Sequence, residues 1–162
     1  MSIESVLILG IGNTLLSDEG IGVHVVKRMQ ASYENHPAIE YLDGGTLSFT
    51  LAEPIARAEG LILVDAARMD TPPGSVKVFH NNEMDRYLSG NRQSVHEVSL
   101  TDLLDIARLS ESLPKQRYLV GIEPACLEWG ESPSDELLPA MDHSIQAILT
   151  ILDEWGLVVA PV

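Results

Sequence analysis

Three uninterrupted apolar runs constrain the fold of this chain more than any other feature. They cover residues 6–9, 61–64 and 118–122, and the first two end in Gly10 and Asp65. A strand with one face in solvent alternates apolar and polar residues, whereas these runs do not alternate. They therefore predict strands that are buried on both faces, as in a parallel sheet covered by helices.

Weaker patterns fill the segments between these runs. Residues 39–42 predict a shorter strand, and residues 75–80 predict a strand that follows a Pro-Pro-Gly turn and so lies near an edge. Apolar residues at helical spacing predict three helices, around Ile21, Val25 and Met29, around Leu100, Leu103, Leu104 and Ala107, and from Met141 to Trp155. Ser99 and Asp102 resemble a capping box at the start of the second helix, and Gly156 ends the third.

Two segments give less distinct patterns. Residues 47–58 predict a weaker helix, because Pro54 interrupts it. Residues 81–95 are polar and predict a loop with one helical turn near residues 84–88.

The order of these elements predicts an α/β fold. Strands alternate with helices along the chain, which is typical of a three-layer α/β/α sandwich with a mostly parallel, twisted sheet of about five strands. The 162 residues suffice for a single domain spanning 1–162. Ligands in such folds bind beyond the carboxyl ends of the strands, so the residues that follow the strands are the candidates for a site.

The charge of the chain limits its partners. Asp and Glu number 24 against 10 Lys and Arg, which gives a formal net charge of −14. This balance argues against nucleic acid and against an anionic membrane surface, since both require basic residues. It is compatible with a metal ion or with a basic protein partner, and also with solubility alone.

Cysteine usage and the N-terminal residues indicate a cytoplasmic protein. Cys126 is the only cysteine, so neither an intrachain disulfide nor an all-cysteine zinc site can form. The apolar run at residues 6–9 lacks a preceding basic region and is too short for a signal peptide or a membrane span.

The turn after the first strand is rich in glycine and then acidic. Gly10 and Gly12 suggest a dinucleotide fingerprint, but Leu15 stands where the third glycine belongs. Asp18 and Glu19 follow, and two carboxylates at this position would repel a pyrophosphate. Nucleotide binding is therefore disfavoured, while the two acids also suit an ordinary helix start.

Polar residues follow the other strands as well. Asp43 ends the second strand, Asp65 ends the third, and His96 precedes a helix. Separately, they are explained by a tight turn, a cap and a solvated loop. Together, Glu19, Asp65 and His96 offer two carboxylates and an imidazole, which suit a borderline divalent ion such as nickel. Cys126 has no paired base and is not expected to be a nucleophile.

The chain resembles the hydrogenase maturation proteases, endopeptidases that process the large subunit of nickel-iron hydrogenases. The resemblance is carried by five short motifs in family order, which are Gly10-Ile11-Gly12-Asn13 through Asp18-Glu19-Gly20-Ile21-Gly22, Asp43-Gly44-Gly45-Thr46, Val64-Asp65-Ala66, Ser94-Val95-His96-Glu97 and Val120-Gly121-Ile122-Glu123-Pro124. Each motif is weak alone, whereas the ordered set is specific.

The resemblance implies a function and a set of site residues. Glu19, Asp65 and His96 match the three metal-contacting and catalytic positions of the family, and Asp43 matches a motif near the site that we assign to substrate binding. The implied substrate is the nickel-loaded precursor of the large subunit, from which a C-terminal extension is removed. Nickel then arrives with the substrate, other divalent ions can substitute for it, and the enzyme is expected to be a monomer.

Several alternatives stay open. The bound ion can polarise the scissile carbonyl or activate water. Alternatively the two carboxylates form an acid–base pair, which would class the enzyme as an acid-type, aspartyl protease. A nickel carrier without catalytic activity would use the same three ligands, and a nucleotide-binding domain is the least favoured reading.

Overall fold

The structure is a computed structural model that describes residues 2–90 and 98–162. The strands in this part of the chain are β1 Val6–Ile11, β2 Ile39–Gly45, β3 Gly60–Ala66, β4 Val76–His80 and β5 Gln116–Ile122. They form one five-stranded sheet in the order β2-β1-β3-β5-β4. The α-helices are α1 Ile21–Ser32, α2 Ala52–Arg57, α3 Asn82–Gly90, α4 Leu100–Leu109 and α5 Leu138–Glu154. Short 3-10 helices cover Ser17–Gly20, Phe49–Leu51 and Asp135–Leu137.

Strand pairing confirms the mostly parallel sheet. β1 runs parallel to β2 and β3, β3 runs parallel to β5, and only β4 is antiparallel, at the edge predicted for it. Gly10 of β1 lies opposite Val64 of β3, so Asp65 follows directly after the last position of β3 that pairs with β1. The adjacency of β1 and β3 thus brings the residues after both strands to one edge of the sheet.

Helices cover both faces of the sheet, as the unbroken apolar runs predicted. On one face, α1 and α5 pack against alternate residues of the inner strands, such as Ile8, Ile62 and Val120. On the other face, α2, α3 and α4 pack against the intervening residues, such as Leu7 and Leu63. The fold is therefore a three-layer α/β/α sandwich.

No helix among the described residues is long and apolar enough to cross a membrane.

The N-terminus of α1 lies unusually close to the sheet because of a glycine. A Cβ on Gly22 would overlap with the carbonyl oxygen of Val64 in β3. Such an approach is open only to a residue without a side chain. This contact fixes the chain between β1 and α1, which carries Glu19, against the end of β3.

The weak helix predicted at residues 47–58 is present as two short pieces. Phe49–Leu51 is a 3-10 helix, and α2 follows directly over Ala52–Arg57. Pro54 lies in the first turn of α2, where its missing N–H removes no intrahelical hydrogen bond.

The helical turn predicted near residues 84–88 is part of a longer helix, α3 over Asn82–Gly90, so the loop prediction for residues 81–95 was wrong over the rest of that helix. Met84 is fully buried, and the ring of Tyr87 stacks on Phe79 of β4 with 4.5 Å between centroids. Asp85 accepts two hydrogen bonds from the guanidinium of Arg117 in β5, at 3.0 and 2.5 Å. The helix therefore depends on contacts with other elements, which its own polar sequence does not show. Residues 91–95 lie outside the described residues.

The predicted capping box at the start of α4 is confirmed and leads to a stability prediction. The hydroxyl of Ser99 accepts from the N–H of Asp102 at 3.1 Å, and the Asp102 carboxylate accepts from the N–H of Ser99 at 3.0 Å. We expect Ser99→Ala to lower the free energy of unfolding by about 1 kcal/mol, since it leaves a helix N–H unpaired. Urea unfolding measures this loss, and an unchanged midpoint would contradict the capping role.

Candidate active site

A cleft opens at the carboxyl ends of β1 and β3, where the sequence placed the candidate site. Its volume is about 280 Å³. Glu19 and Asp65 both line it, and Arg68 is the basic residue on its wall among the described lining residues. The rest of the wall is mostly apolar or small, and consists of Ile11, Leu47, Ala66, Ala67, Tyr87, Leu88, Ser99, Leu100, Thr101, Pro124 and Leu127.

Glu19 is held in the cleft by the turn that follows β1. It lies in the 3-10 helix Ser17–Gly20, and its Oε2 accepts a short hydrogen bond from the backbone N–H of Asn13. Gly12 has φ +132°, and a Cβ there would overlap with the carbonyl oxygen of Glu19. The glycine-rich turn thus serves to pack the two chain segments together and to orient an acid, instead of cradling a phosphate.

Asp65 reaches the same cleft from the end of β3. Its pKa lies well above the ordinary value of 3.8, first because burial disfavours the charged form and second because the negative charge of Glu19 is near. The backbone N–H of Ala66 opposes this shift by donating a hydrogen bond, which favours the carboxylate. The two acids are therefore close enough to repel each other, and a cation between them would relieve that repulsion.

The third predicted ligand cannot be placed. His96 lies outside the described residues, which resume at Val98 just before α4. Within residues 2–90 and 98–162, no group of three His, Cys, Asp or Glu side chains comes together to hold a metal ion. Of the three predicted ligands, the structure thus brings Glu19 and Asp65 together, and the role of His96 stays a prediction.

Asp43 stands apart from the cleft. Its side chain is exposed at the end of β2, where Oδ1 accepts from the N–H of Gly45 at 2.9 Å and Oδ2 lies 3.5 Å from Nζ of Lys27. It does not line the cavity, although β2 neighbours β1. A part in substrate binding stays a prediction for this residue.

Asp18 has a different role from its neighbour Glu19, although the two acids look alike in the sequence. Its side chain is fully buried, and four hydrogen bonds of 2.7 to 2.9 Å reach it from Ala125, Cys126 and Ser134. Burial would raise the pKa of Asp18, but the hydrogen bonds from these residues together outweigh it and lower that pKa. Asp18 is thus an ionised internal anchor for residues 125–134.

Glu123 is a second buried carboxylate, and no role was predicted for it from the sequence. Its Oε1 accepts from the N–H of Met69 at 2.8 Å and from the N–H and hydroxyl of Thr71, both at 3.1 Å. Burial would raise the pKa of Glu123, but these hydrogen bonds and the charge of Arg68 lower it. Glu123 therefore holds the segment that continues from Asp65 along the cleft.

Cys126 shows no feature of a nucleophile. The thiol is free and partly buried, and the residue is absent from the cleft wall although Pro124 and Leu127 contribute to it. The expectation that Cys126 is not catalytic agrees with this position and stays a prediction for the activity itself.

Known proteins resemble this chain over nearly its whole length. The family model described as hydrogenase maturation protease, HycI, matches residues 23–151. The hydrogenase expression/formation protein HoxM of Azotobacter vinelandii is 32% identical over 161 residues, which is 99% of this chain and 78% of that protein. The hydrogenase 2 maturation protease of Escherichia coli K12 is 33% identical over 159 residues, covering 96% of this chain and 95% of that protein.

Solved structures agree with these relatives. The hydrogenase maturating endopeptidase HybD from E. coli superimposes with a TM-score of 0.91 at 31% identity, and the match covers 97% of each chain. Both the resemblance predicted from the motifs and the α/β fold are therefore confirmed.

The expected classification as an aspartyl protease is wrong. The matching family is that of the hydrogenase maturation proteases, which are not aspartyl proteases. The cleft agrees with this correction, since its described walls pair a glutamate with a single aspartate. The aspartyl mechanism requires two aspartates that share a proton. The described walls of the cleft do not contain such a pair.

Proposed function

The chain belongs to the hydrogenase maturation protease family, and from this premise we propose that it cleaves the nickel-loaded precursor of a nickel-iron hydrogenase large subunit. The reaction removes the C-terminal extension of that subunit by hydrolysis of one peptide bond. The observation that carries the proposal is the pairing of Glu19 and Asp65 in one cleft at the carboxyl ends of adjacent parallel strands. A solved endopeptidase with the same fold supports it.

In the proposed mechanism, nickel belongs to the substrate. Glu19 and Asp65 approach it with carboxylate oxygens, and His96 adds an imidazole nitrogen, a donor set that suits nickel. The carboxylates of Glu19 and Asp65 repel each other when no cation lies between them. A cation carried by the correct precursor is therefore favoured at this position. The scissile bond is thereby placed beside an ion that polarises its carbonyl or activates water.

Specificity follows if the site is complete only with substrate. Precursor without nickel would leave the repulsion between Glu19 and Asp65 in place and the reacting carbonyl unpolarised. Substrate-dependent assembly of a catalytic site is a known route to high selectivity. We assign Asp43, which is exposed near the end of β2, to contact with the precursor outside the cleft.

The decisive experiment compares nickel-loaded with nickel-free precursor. We expect mass spectrometry to show loss of the C-terminal extension from the loaded precursor only, with nickel-free precursor processed at least about 100-fold more slowly. Resupply of nickel to the same precursor is the control for damage during metal removal.

Two results would contradict the proposal. Equal cleavage of both precursors would exclude nickel as the recognition signal. Binding of nickel-loaded precursor without any shortened product would favour the alternative, a carrier that uses the same ligands.

A further inference from the structure

Residues 124–134, here called the strap, form a segment without helix or strand that is nevertheless tied down along its length. Backbone hydrogen bonds join Ser17 N to Gly130 O at 2.8 Å, Gly130 N to Leu15 O at 2.9 Å and Asp18 N to Cys126 O at 3.0 Å. The hydroxyl of Ser17 also donates to the carbonyl of Glu128 at 2.8 Å. The strap is thus bound to the same turn that carries Glu19.

Asp18 is the centre of this attachment. Its Oδ2 accepts from Ala125 N at 2.9 Å, Cys126 N at 2.8 Å and Ser134 Oγ at 2.7 Å, and its Oδ1 accepts from Ser134 N at 2.7 Å. A fully buried carboxylate is costly unless each oxygen is paired, and here both are. The carboxylate therefore fixes both ends of the strap relative to the cleft.

The strap presents apolar side chains to solvent. Leu127 lines the cleft and is 36% exposed, and Trp129, two residues on, is 81% exposed. The chain has only two tryptophans, and the other, Trp155, is 3% exposed in the core. A large exposed aromatic on a rigidly held segment beside a cleft is typical of an anchor for a protein partner.

We propose that the strap is the surface that receives the precursor, with Trp129 as its anchor and Asp18 as the positioning residue that holds it. This rests on the proposed function, which makes the partner a protein. Glu128 and Glu131 flank Trp129, and the whole chain carries a net charge of −14. The matching surface on the precursor is therefore an apolar pocket with basic residues at its rim.

Steady-state kinetics with nickel-loaded precursor test the anchor. We expect Trp129→Ala to raise KM about tenfold while kcat stays within about twofold, because the anchor binds ground state and transition state alike. Leu109→Ala is the matched control, since Leu109 is 85% exposed at the far end of α4, about 12 Å along the helix from the nearest residue of α4 that lines the cleft. Unchanged KM in Trp129→Ala, or an equal rise in Leu109→Ala, would overturn the proposal.

Fluorescence quenching gives a readout that is independent of cleavage. Acrylamide should quench Trp129 in the free protein, and saturating precursor should protect it, with Trp129→Phe used to subtract all other emission. If saturating precursor left the quenching of Trp129 by acrylamide unchanged, the proposal that the strap is the docking surface would be overturned. If wild-type protein protects Trp129 but never shortens the precursor, the proposed protease function fails while the docking surface stands.

The positioning role of Asp18 needs a milder variant beside Asp18→Asn, which risks misfolding. Ser134→Ala removes one of the four hydrogen bonds, and Ser144→Ala, which deletes a buried hydroxyl bonded to Ala140 O at 2.7 Å within α5, is its control. We expect a higher KM and faster amide exchange at Ala125 and Cys126 in Ser134→Ala only. Equal KM in both serine variants would remove Asp18 from the proposal.

Discussion

Asp65→Asn is expected to lower processing of nickel-loaded precursor at least about 100-fold and to give a protein that is more stable at neutral pH. The loss follows because an amide oxygen is a weaker ligand and cannot supply a negative charge. The gain follows because burial and the charge of Glu19 both disfavour the ionised form of Asp65 in the folded protein, whereas the unfolded chain imposes neither penalty. A neutral side chain of the same shape removes both penalties.

The pH dependence of this gain has a definite sign. The pKa of Asp65 is raised in the folded state, so below the ordinary value of 3.8 the side chain is protonated in both states and carries no penalty. As pH rises from that value through the folded-state pKa, the unfolded state loses its proton more easily and wild-type stability falls. The variant lacks this fall, so the difference between the two proteins should grow with pH across that window.

Urea unfolding at a series of pH values measures the difference. Asp142→Asn is the control, since it removes one negative charge from an exposed residue that lies 3.3 Å from Arg28. Exposed ion pairs contribute little to stability, so this variant should follow wild type. A less stable Asp65→Asn protein at neutral pH would show that the carboxylate has a compensating partner and that the cleft is not strained by charge.

The convergence of Glu19 and Asp65 could be predicted because the burial of a strand can be read from the residues of that strand alone. Residues 6–9 and 61–64 are apolar without alternation, which indicates inner parallel strands, and inner parallel strands end at one edge. Because β1 and β3 are neighbours, the acids after them come to one edge of the sheet, where Glu19 and Asp65 line one cleft. The motif resemblance then identified the family, which the comparisons confirm.

What the sequence could not show depends on distant partners. Asp18 and Glu19 look alike as neighbouring acids, yet Asp18 is an anchor because its donors lie 107 to 116 residues further along the chain. Helix α3 was predicted as a single turn near residues 84–88 for the same reason, since Met84 and Tyr87 are stabilised by contacts with other elements. Hydrophobic periodicity indicates which face of a segment is buried, but it does not indicate which other segment of the chain packs against that face.

The second large effect is expected for Glu19→Gln, which should also reduce processing at least about 100-fold without unfolding the protein. Glutamine keeps the length of the side chain and one oxygen that can accept from the N–H of Asn13. The close contact of Gly12 with the Glu19 backbone is unaffected, so the turn after β1 should keep its shape. Circular dichroism melting on the preparation used for the cleavage assay separates loss of chemistry from loss of fold.

Glu19→Gln also tests whether the two acids act on each other. Removing the Glu19 charge deletes the second cause of the raised pKa of Asp65 and leaves burial, the first cause, in place. The pH window in which stability falls should therefore narrow in this variant without disappearing. A window of unchanged width would mean that burial alone accounts for the shift.

A double-mutant cycle makes the coupling quantitative. Asp65→Asn and Glu19→Gln each abolish the repulsion between the two carboxylates. The second substitution therefore adds nothing to this part of the effect. The double variant should therefore gain less stability at neutral pH than the two single gains added together. This shortfall should disappear below pH 3.8, where Asp65 is protonated in the folded and the unfolded state and the repulsion is absent. Additive gains at neutral pH would show that the carboxylates do not repel each other. The cleft would then lack the paired negative charge that the proposed nickel-loaded substrate is meant to neutralise.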